Sequence, residues 1–149
     1  MSRRAPAVWV LESEGSLLFG VVSLLRGHCP TVRGFSDPRG VLSAASTDPP
    51  AVLVTDLRMA GMSGVELSRR LRQRLGASCP RILLVTGSRP RRAELTLFDQ
   101  VFRKPFRFDD LLAEVLRHTR PVARRSLSGT RPRRAMAGSG SSRTGGGSR

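Results

Sequence analysis

Asp56 closes a short apolar run, Ala51–Thr55, and is followed by a glycine-bearing loop through Gly64 before a helical pattern resumes at Val65. In an open parallel α/β sheet, ligands bind beyond the carboxyl ends of the strands, so a carboxylate there faces a cleft rather than a core. On this segment alone Asp56 reads equally well as a turn or N-cap acid. Other segment ends change the balance. Glu12, Ser13 and Glu14 follow the first apolar run, Thr86 ends another, and Lys104 follows a third. If these runs are parallel strands, their ends share one rim. That set suits phosphoryl transfer to a carboxylate. Asp56 would be the nucleophile and carry an acyl phosphate. A hard divalent cation on carboxylate and backbone oxygens would offset phosphoryl charge. Lys104 would supply a point positive charge and Thr86 a hydrogen bond, and both would move toward the new dianion. Glu12 has a second reading, as an acid favourable to the start of the next helix.

The elements that must position these groups follow from hydrophobic spacing. Ala7–Leu11 is a buried strand that includes Trp9, a core residue. Leu17, Leu18, Val21, Val22 and Leu25 recur at helical spacing and predict a helix over 16–26. Thr31–Phe35 is a weaker strand, and Asp37-Pro38 caps and opens a short helix through Ala45. After the central strand, 51–55, Val65, Leu67, Leu71 and Leu75 mark a third helix that Gly76 ends. Its arginines, Arg69, Arg70, Arg72 and Arg74, are expected to be a solvated face, with a docking surface as the second reading. Arg81–Thr86 is a fourth strand, Pro90–Leu97 a short helix and Gln100–Arg103 a fifth strand. Phe108, Leu111, Leu112, Val115 and Leu116 line the last helix, which ends near Thr119. Strands alternating with helices predict a parallel sheet covered on both faces, with right-handed crossovers.

Composition sets the remaining bounds. The 149 residues carry a formal charge of +15, and residues 120–149 hold eight arginines and no acid. Lys104 is the single lysine among 26 basic residues. Residues 126–149 are rich in Ser, Gly, Arg, Thr and Pro, a composition expected to stay disordered. The organisation expected is an N-terminal arm over 1–6, one folded domain over 7–119 and a basic tail over 120–149 with no effector domain. The tail could bind nucleic acid or an acidic membrane surface through phosphate contacts only, without sequence reading, because no aromatic is interleaved. Cys29 and Cys79 each precede a proline and form no metal-type pair, which favours reduced thiols in the cytoplasm. Glu12 and Glu14 interrupt the early apolar stretch, and Leu17–Leu25 is too short to span a bilayer, so neither export nor a membrane span is expected. His28 and His118 are expected to be solvated helix-end residues, and Met59 and Met62 to be loop packing.

Asp56-Leu-Arg-Met-Ala-Gly-Met-Ser-Gly, Leu84-Val-Thr86-Gly and Lys104-Pro105-Phe106, in that order, resemble the motifs of the receiver domain of two-component response regulators. The likeness covers about residues 7–118 and identifies the chain as resembling a stand-alone receiver. It implies a flavodoxin-like (βα)5 fold, a doubly wound parallel five-stranded sheet in the order 2-1-3-4-5. It implies that Asp56 is phosphorylated by a histidine kinase or phosphotransfer protein. Thr86 and Lys104 would contact the phosphoryl group, and Mg²⁺ would bind Glu12, Asp56 and the backbone carbonyl of Arg58. The resemblance also implies a cis bond before Pro105, output through contact with a downstream protein, and no enzymatic activity beyond self-catalysed phosphotransfer and slow dephosphorylation. Four departures stand out. Ser13 occupies the position of a usual acidic metal ligand, and Ala60 that of a usual proline. Val101 occupies the place of a frequent switch aromatic, and the stretch from Thr86 to Lys104 is shorter than usual. They motivate a second reading, a degenerate receiver that docks partners without phosphorylation. A third is a nucleic-acid-associated adaptor acting through the tail.

Overall fold

Five apolar runs become strands because each alternates side chains between two faces that are both covered. A computed structural model of the chain describes residues 5–120. In order these are β1 (Val8–Leu11), α1 (Gly15–Arg26), β2 (Val32–Phe35), α2 (Pro38–Ala45), β3 (Val52–Thr55), α3 (Gly64–Leu75), β4 (Arg81–Thr86), β5 (Gln100–Arg103) and α4 (Phe108–Thr119). Short 3-10 turns cover Gly76–Ser78 and Arg92–Leu97. The strands form one sheet in the order β2-β1-β3-β4-β5, and every neighbouring pair is parallel. This is the doubly wound order expected from the sequence, with β1 and β3 adjacent at the centre.

The pleat divides the core in two. Trp9, Leu11, Leu53, Ile82 and Leu84 belong to one layer, packed with Val41, Leu42, Leu67 and Leu71 from α2 and α3. Val8, Val10, Val54, Leu83 and Val85 belong to the other, with Val22 and Leu25 of α1 and Leu111 and Val115 of α4. Burying each such side chain contributes about 1.5–3 kcal/mol. Trp9 is a core residue, as expected, and its ring lies 4.8 Å from that of Phe35.

Helix ends follow their local chemistry. Asp37 caps α2 by accepting from the Arg39 N–H, and Ser63 caps α3 by accepting from the Glu66 N–H. Gly76 ends α3 at a positive φ of 52°.

Two expectations are corrected. The segment expected to be a helix over 90–97 is a 3-10 turn over Arg92–Leu97. The tighter winding rises about 2.0 Å per residue against 1.5 Å in an α-helix, so a short connection still spans the return to β5. Nor are the α3 arginines uniformly solvated. Arg72 donates through Nε and Nη2 to the Leu97 carbonyl, at 3.2 and 2.7 Å, and lies 3.6 Å from the Asp99 carboxylate. Its guanidinium satisfies a carbonyl at the end of the 3-10 turn and pins that turn to α3. The basic tail expected over 120–149 lies outside the described residues except for Arg120.

Candidate functional site

Parallel register sets the site. Leu11 is opposite Thr55, so the next residues, Glu12 and Asp56, leave neighbouring strands side by side. Thr86 is opposite Arg103, so Lys104 emerges beside Thr86, and its N–H donates to the Thr86 carbonyl at 2.9 Å. The loop after Asp56 doubles back tightly. Gly61 takes a φ of 84°, and Gly64 donates its N–H to the Leu57 carbonyl at 2.8 Å. A side chain at Gly64 would collide with the Asp56 carbonyl oxygen, so this position needs glycine for close approach.

Three charges meet at this rim. The Lys104 ammonium donates to Asp56 Oδ2 at 3.2 Å and lies 3.6 Å from Glu12 Oε2. Asp56 Oδ1 accepts from the Leu57 N–H at 2.6 Å, and Glu12 Oε1 accepts from the Glu14 N–H at 3.1 Å. The Glu12 and Asp56 side chains are only 10% and 15% exposed, so their attraction to lysine is screened less than at an open surface. Burial pulls the Lys104 pKa down, but the hydrogen bond to Asp56 and the negative charges of Asp56 and Glu12 outweigh it. Its net value lies above the ordinary 10.5. The Lys104–Pro105 bond is cis, and Phe106, Leu17, Val21 and Leu111 wall a cavity of about 20 Å³ against the two acids.

Thr86 is at the same rim but is turned to another task. It is buried, and its hydroxyl donates to the Ser88 carbonyl at 3.1 Å while accepting from the Ser88 N–H at 3.0 Å. The hydroxyl therefore clasps the loop after β4. The Ser13 and Glu14 side chains are exposed, and Leu11, in register with Thr55, is the last residue of β1 before them and Glu12. Arg58 is exposed and makes no hydrogen bond among the described residues, which leaves its carbonyl oxygen free.

The donor set fits a hard divalent cation. Two carboxylates, Glu12 and Asp56, already converge on one positive charge, the Lys104 ammonium. Among the described residues no three His, Cys, Asp or Glu side chains cluster, so two carboxylates would be the full acidic complement. Mg²⁺ tolerates that, since it commonly keeps several waters.

Sequence reasoning missed the backbone partners: the Leu57 N–H on Asp56, and Ser88 on Thr86. It also passed over Asp99, whose carboxylate accepts from the Ile82 N–H at 2.7 Å and pairs with Arg81 at 3.3 Å, tying β5 to the start of β4. An acid directly before a strand was the available signal for Asp99. Backbone donors leave no signal in a sequence.

Residues 8–116 match the family model of the response regulator receiver domain. Among curated proteins, the response regulator protein TodT of Pseudomonas putida is 30% identical over 118 residues, covering 77% of this chain and 52% of TodT. The DNA-binding transcriptional regulator NtrC of Salmonella typhimurium is 30% identical over 114 residues, covering 74% of this chain and 24% of NtrC. The chain thus spans about half the length of TodT, and less of NtrC. Its fold is similar to that of a CheY-like response regulator receiver domain from Methylobacillus flagellatus, with a TM-score of 0.69 at 19% identity over 76% of this chain and 98% of the other. It is also similar to the response regulator TrrA from Thermotoga maritima in complex with Mg(2+)-BeF, with a TM-score of 0.67 at 20% identity over 75% and 97% of the two chains. With that sheet order and these matches together, the chain belongs to the receiver domain family of two-component response regulators.

Proposed function

We propose that this chain is a phosphoacceptor in two-component signalling, phosphorylated on Asp56 by a histidine kinase or phosphotransfer protein. The observation that carries the reading is the Lys104 ammonium held between Asp56 and Glu12 at 3.2 and 3.6 Å. A cation placed there is positioned for negative charge that grows beside Asp56.

In this reading an Asp56 carboxylate oxygen attacks phosphorus, a P–O bond forms, and the donor's P–N bond breaks. The electron pair of that bond leaves with the donor histidine. The Leu57 N–H holds the Asp56 carboxylate by its other oxygen, which fixes the direction of attack. Lys104 has three N–H donors and can bind a phosphoryl oxygen while still serving Glu12. Mg²⁺ would be held by Glu12, Asp56 and the Arg58 carbonyl, with Ser13 contributing no charge. When bound, it would neutralise charge on the phosphoryl oxygens. Thr86 would exchange its bond to Ser88 for one to the phosphoryl group, which frees the loop after β4. Output then passes to a downstream protein. The folded unit is residues 7–119, with the basic stretch appended to it.

The test is direct. The protein is incubated with acetyl phosphate or phosphoramidate and Mg²⁺, and intact mass is followed. We expect an acid-stable, base-labile phosphate adduct that is absent in Asp56→Asn and much reduced without Mg²⁺. No adduct from any donor, or an adduct retained in Asp56→Asn, overturns the reading and leaves a phosphorylation-independent docking module.

A further inference from the structure

Two loops leave the same rim of the sheet, because β3 and β4 are parallel neighbours. The loop after β3 carries Arg58, and the loop after β4 carries Arg89 and Arg91. Their guanidinium groups form no ion pair or hydrogen bond among the described residues. Arg39, Arg70, Arg72, Arg81 and Arg117, by contrast, each pair with a carboxylate. Arg58, Arg89 and Arg91 line one groove of about 310 Å³, bordered by Ser63 at the start of α3 and by Glu94 of the Arg92–Leu97 turn. That volume lies at the small end of the range for ligand pockets, about 300–1,000 Å³.

The polar groups of the groove have donors left over. The Ser63 hydroxyl accepts from the Glu66 N–H at 3.1 Å, which leaves its own proton to donate. Glu94 Oε2 accepts from the Arg91 N–H at 2.8 Å, so the one carboxylate here is engaged with backbone rather than with a guanidinium. Three guanidinium groups against one carboxylate leave the groove net positive, and like charges held together repel until an anion enters. We propose that the groove is a binding site for a small ligand with two linked phosphates, either free pyrophosphate or the diphosphate group of a larger molecule. Arginine binds phosphate oxygens through paired, parallel hydrogen bonds, and linked phosphates present acceptors to the forks of both loops at once. Leu57 and Val65 also line the groove but are each only 7% exposed, so they offer no apolar seat for the side chain of a protein segment. No aromatic ring lines it either, so a nucleotide base has nothing to stack on and the phosphates are the recognised part. The site uses none of Asp56, Glu12 and Lys104, so it goes beyond the phosphoacceptor reading and is independent of it.

The full chain is tested by isothermal titration calorimetry at physiological salt, with EDTA present so that no cation bridges an anion to Asp56. The probes are pyrophosphate, orthophosphate, ADP and adenosine. The variants are Arg89→Ala/Arg91→Ala in the groove, Arg131→Ala/Arg133→Ala in the basic C-terminal stretch, which lose the same charge, and Lys104→Met at the Asp56 rim. We expect the groove pair to weaken pyrophosphate about tenfold, or about 1.4 kcal/mol, and the other two variants to change it less than about twofold. ADP bound at least as tightly as pyrophosphate assigns the site to a diphosphate on a larger molecule, and ADP bound more weakly assigns it to the free anion. Either result supports the site. The proposal fails if pyrophosphate does not bind, or if orthophosphate binds as tightly as pyrophosphate. Equal loss from the groove and C-terminal pairs would mean that net charge alone is at work, and a tenfold loss in Lys104→Met would put the anion at the Asp56 rim. Each of these overturns the site, as does adenosine that binds as tightly as ADP. Should the alanine pair not fold by circular dichroism, Arg89→Lys/Arg91→Lys keeps the charge and removes the fork. Pyrophosphate bound several-fold more weakly then supports the site, and unchanged affinity overturns it.

Discussion

The two ends of the strand rim are built on opposite terms. At the acid end, Asp56, Glu12 and Lys104 compensate one another within 3.2 to 3.6 Å, on residues that step directly off paired strands. At the arginine end, Arg89 and Arg91 stand on the loop that enters a 3-10 turn, and the guanidinium groups lack partners among the described residues. Side chains fixed by sheet register can hold a geometry tight enough for chemistry, whereas groups on a short, irregular connection can re-aim to suit a ligand. Thr86 lies between the two. Its carbonyl accepts from the Lys104 N–H at one end, and its hydroxyl clasps the loop that leads to the other.

Several substitutions would break or sharpen that contrast. The largest effect is expected at Gly64, where a side chain meets the Asp56 carbonyl oxygen. Gly64→Val should lower stability by roughly 2–3 kcal/mol through overpacking and displace the acid loop. Chemical denaturation measures the first and amide chemical shifts of 56–64 the second. A neutral result would mean that the acid end is as adaptable as the arginine end. Thr86→Val keeps the shape, removes the clasp and leaves the Ser88 N–H without its acceptor. Its expected cost is about 1 kcal/mol, with faster hydrogen exchange confined to residues 87–92 rather than at Asp56. Exchange that speeds equally at both ends would join them into one unit.

Lys104→Met should have the smallest effect on stability, less than about 1 kcal/mol at neutral pH, because the ammonium is partly open to solvent. That effect carries a pH signature. The folded pKa of Lys104 is raised above 10.5, so its stabilisation is complete below 10.5 and is lost as pH rises through the higher folded value. The stability gap between wild type and Lys104→Met should therefore be flat through neutral pH and close in strong alkali. Cys29 and Cys79, whose thiol pKa values are raised by burial, titrate in both proteins and cancel in the difference. A gap that widens in alkali would show that the lysine does not draw its stabilisation from the two acids.

Much of the fold was legible because strongly patterned segments carry it. The apolar runs at Val8–Leu11 and Arg81–Thr86, the Asp37-Pro38 start and the Gly76 stop all announce themselves in one-letter code. The meeting of Asp56 with Lys104 was also readable, since both follow directly on runs of strand type and parallel pairing aligns strand ends. Other features depend on distances that no periodicity encodes. Whether Arg72 faces water or the Leu97 carbonyl is decided by how close the 3-10 turn lies to α3. The Thr86 hydroxyl could have pointed to the acids, and the backbone two residues on provided a nearer pair of partners. The solvent exposure of Ser13 follows from the turn that carries the chain away from β1 into α1.

The solitary lysine also has a practical meaning. A chain whose one ε-amine is gripped by two carboxylates can be probed there with an acylating reagent, the α-amine being the other primary amine. Only the unprotonated amine reacts, so the raised pKa makes this nitrogen a slow target, and any event that draws the carboxylates away should quicken its modification.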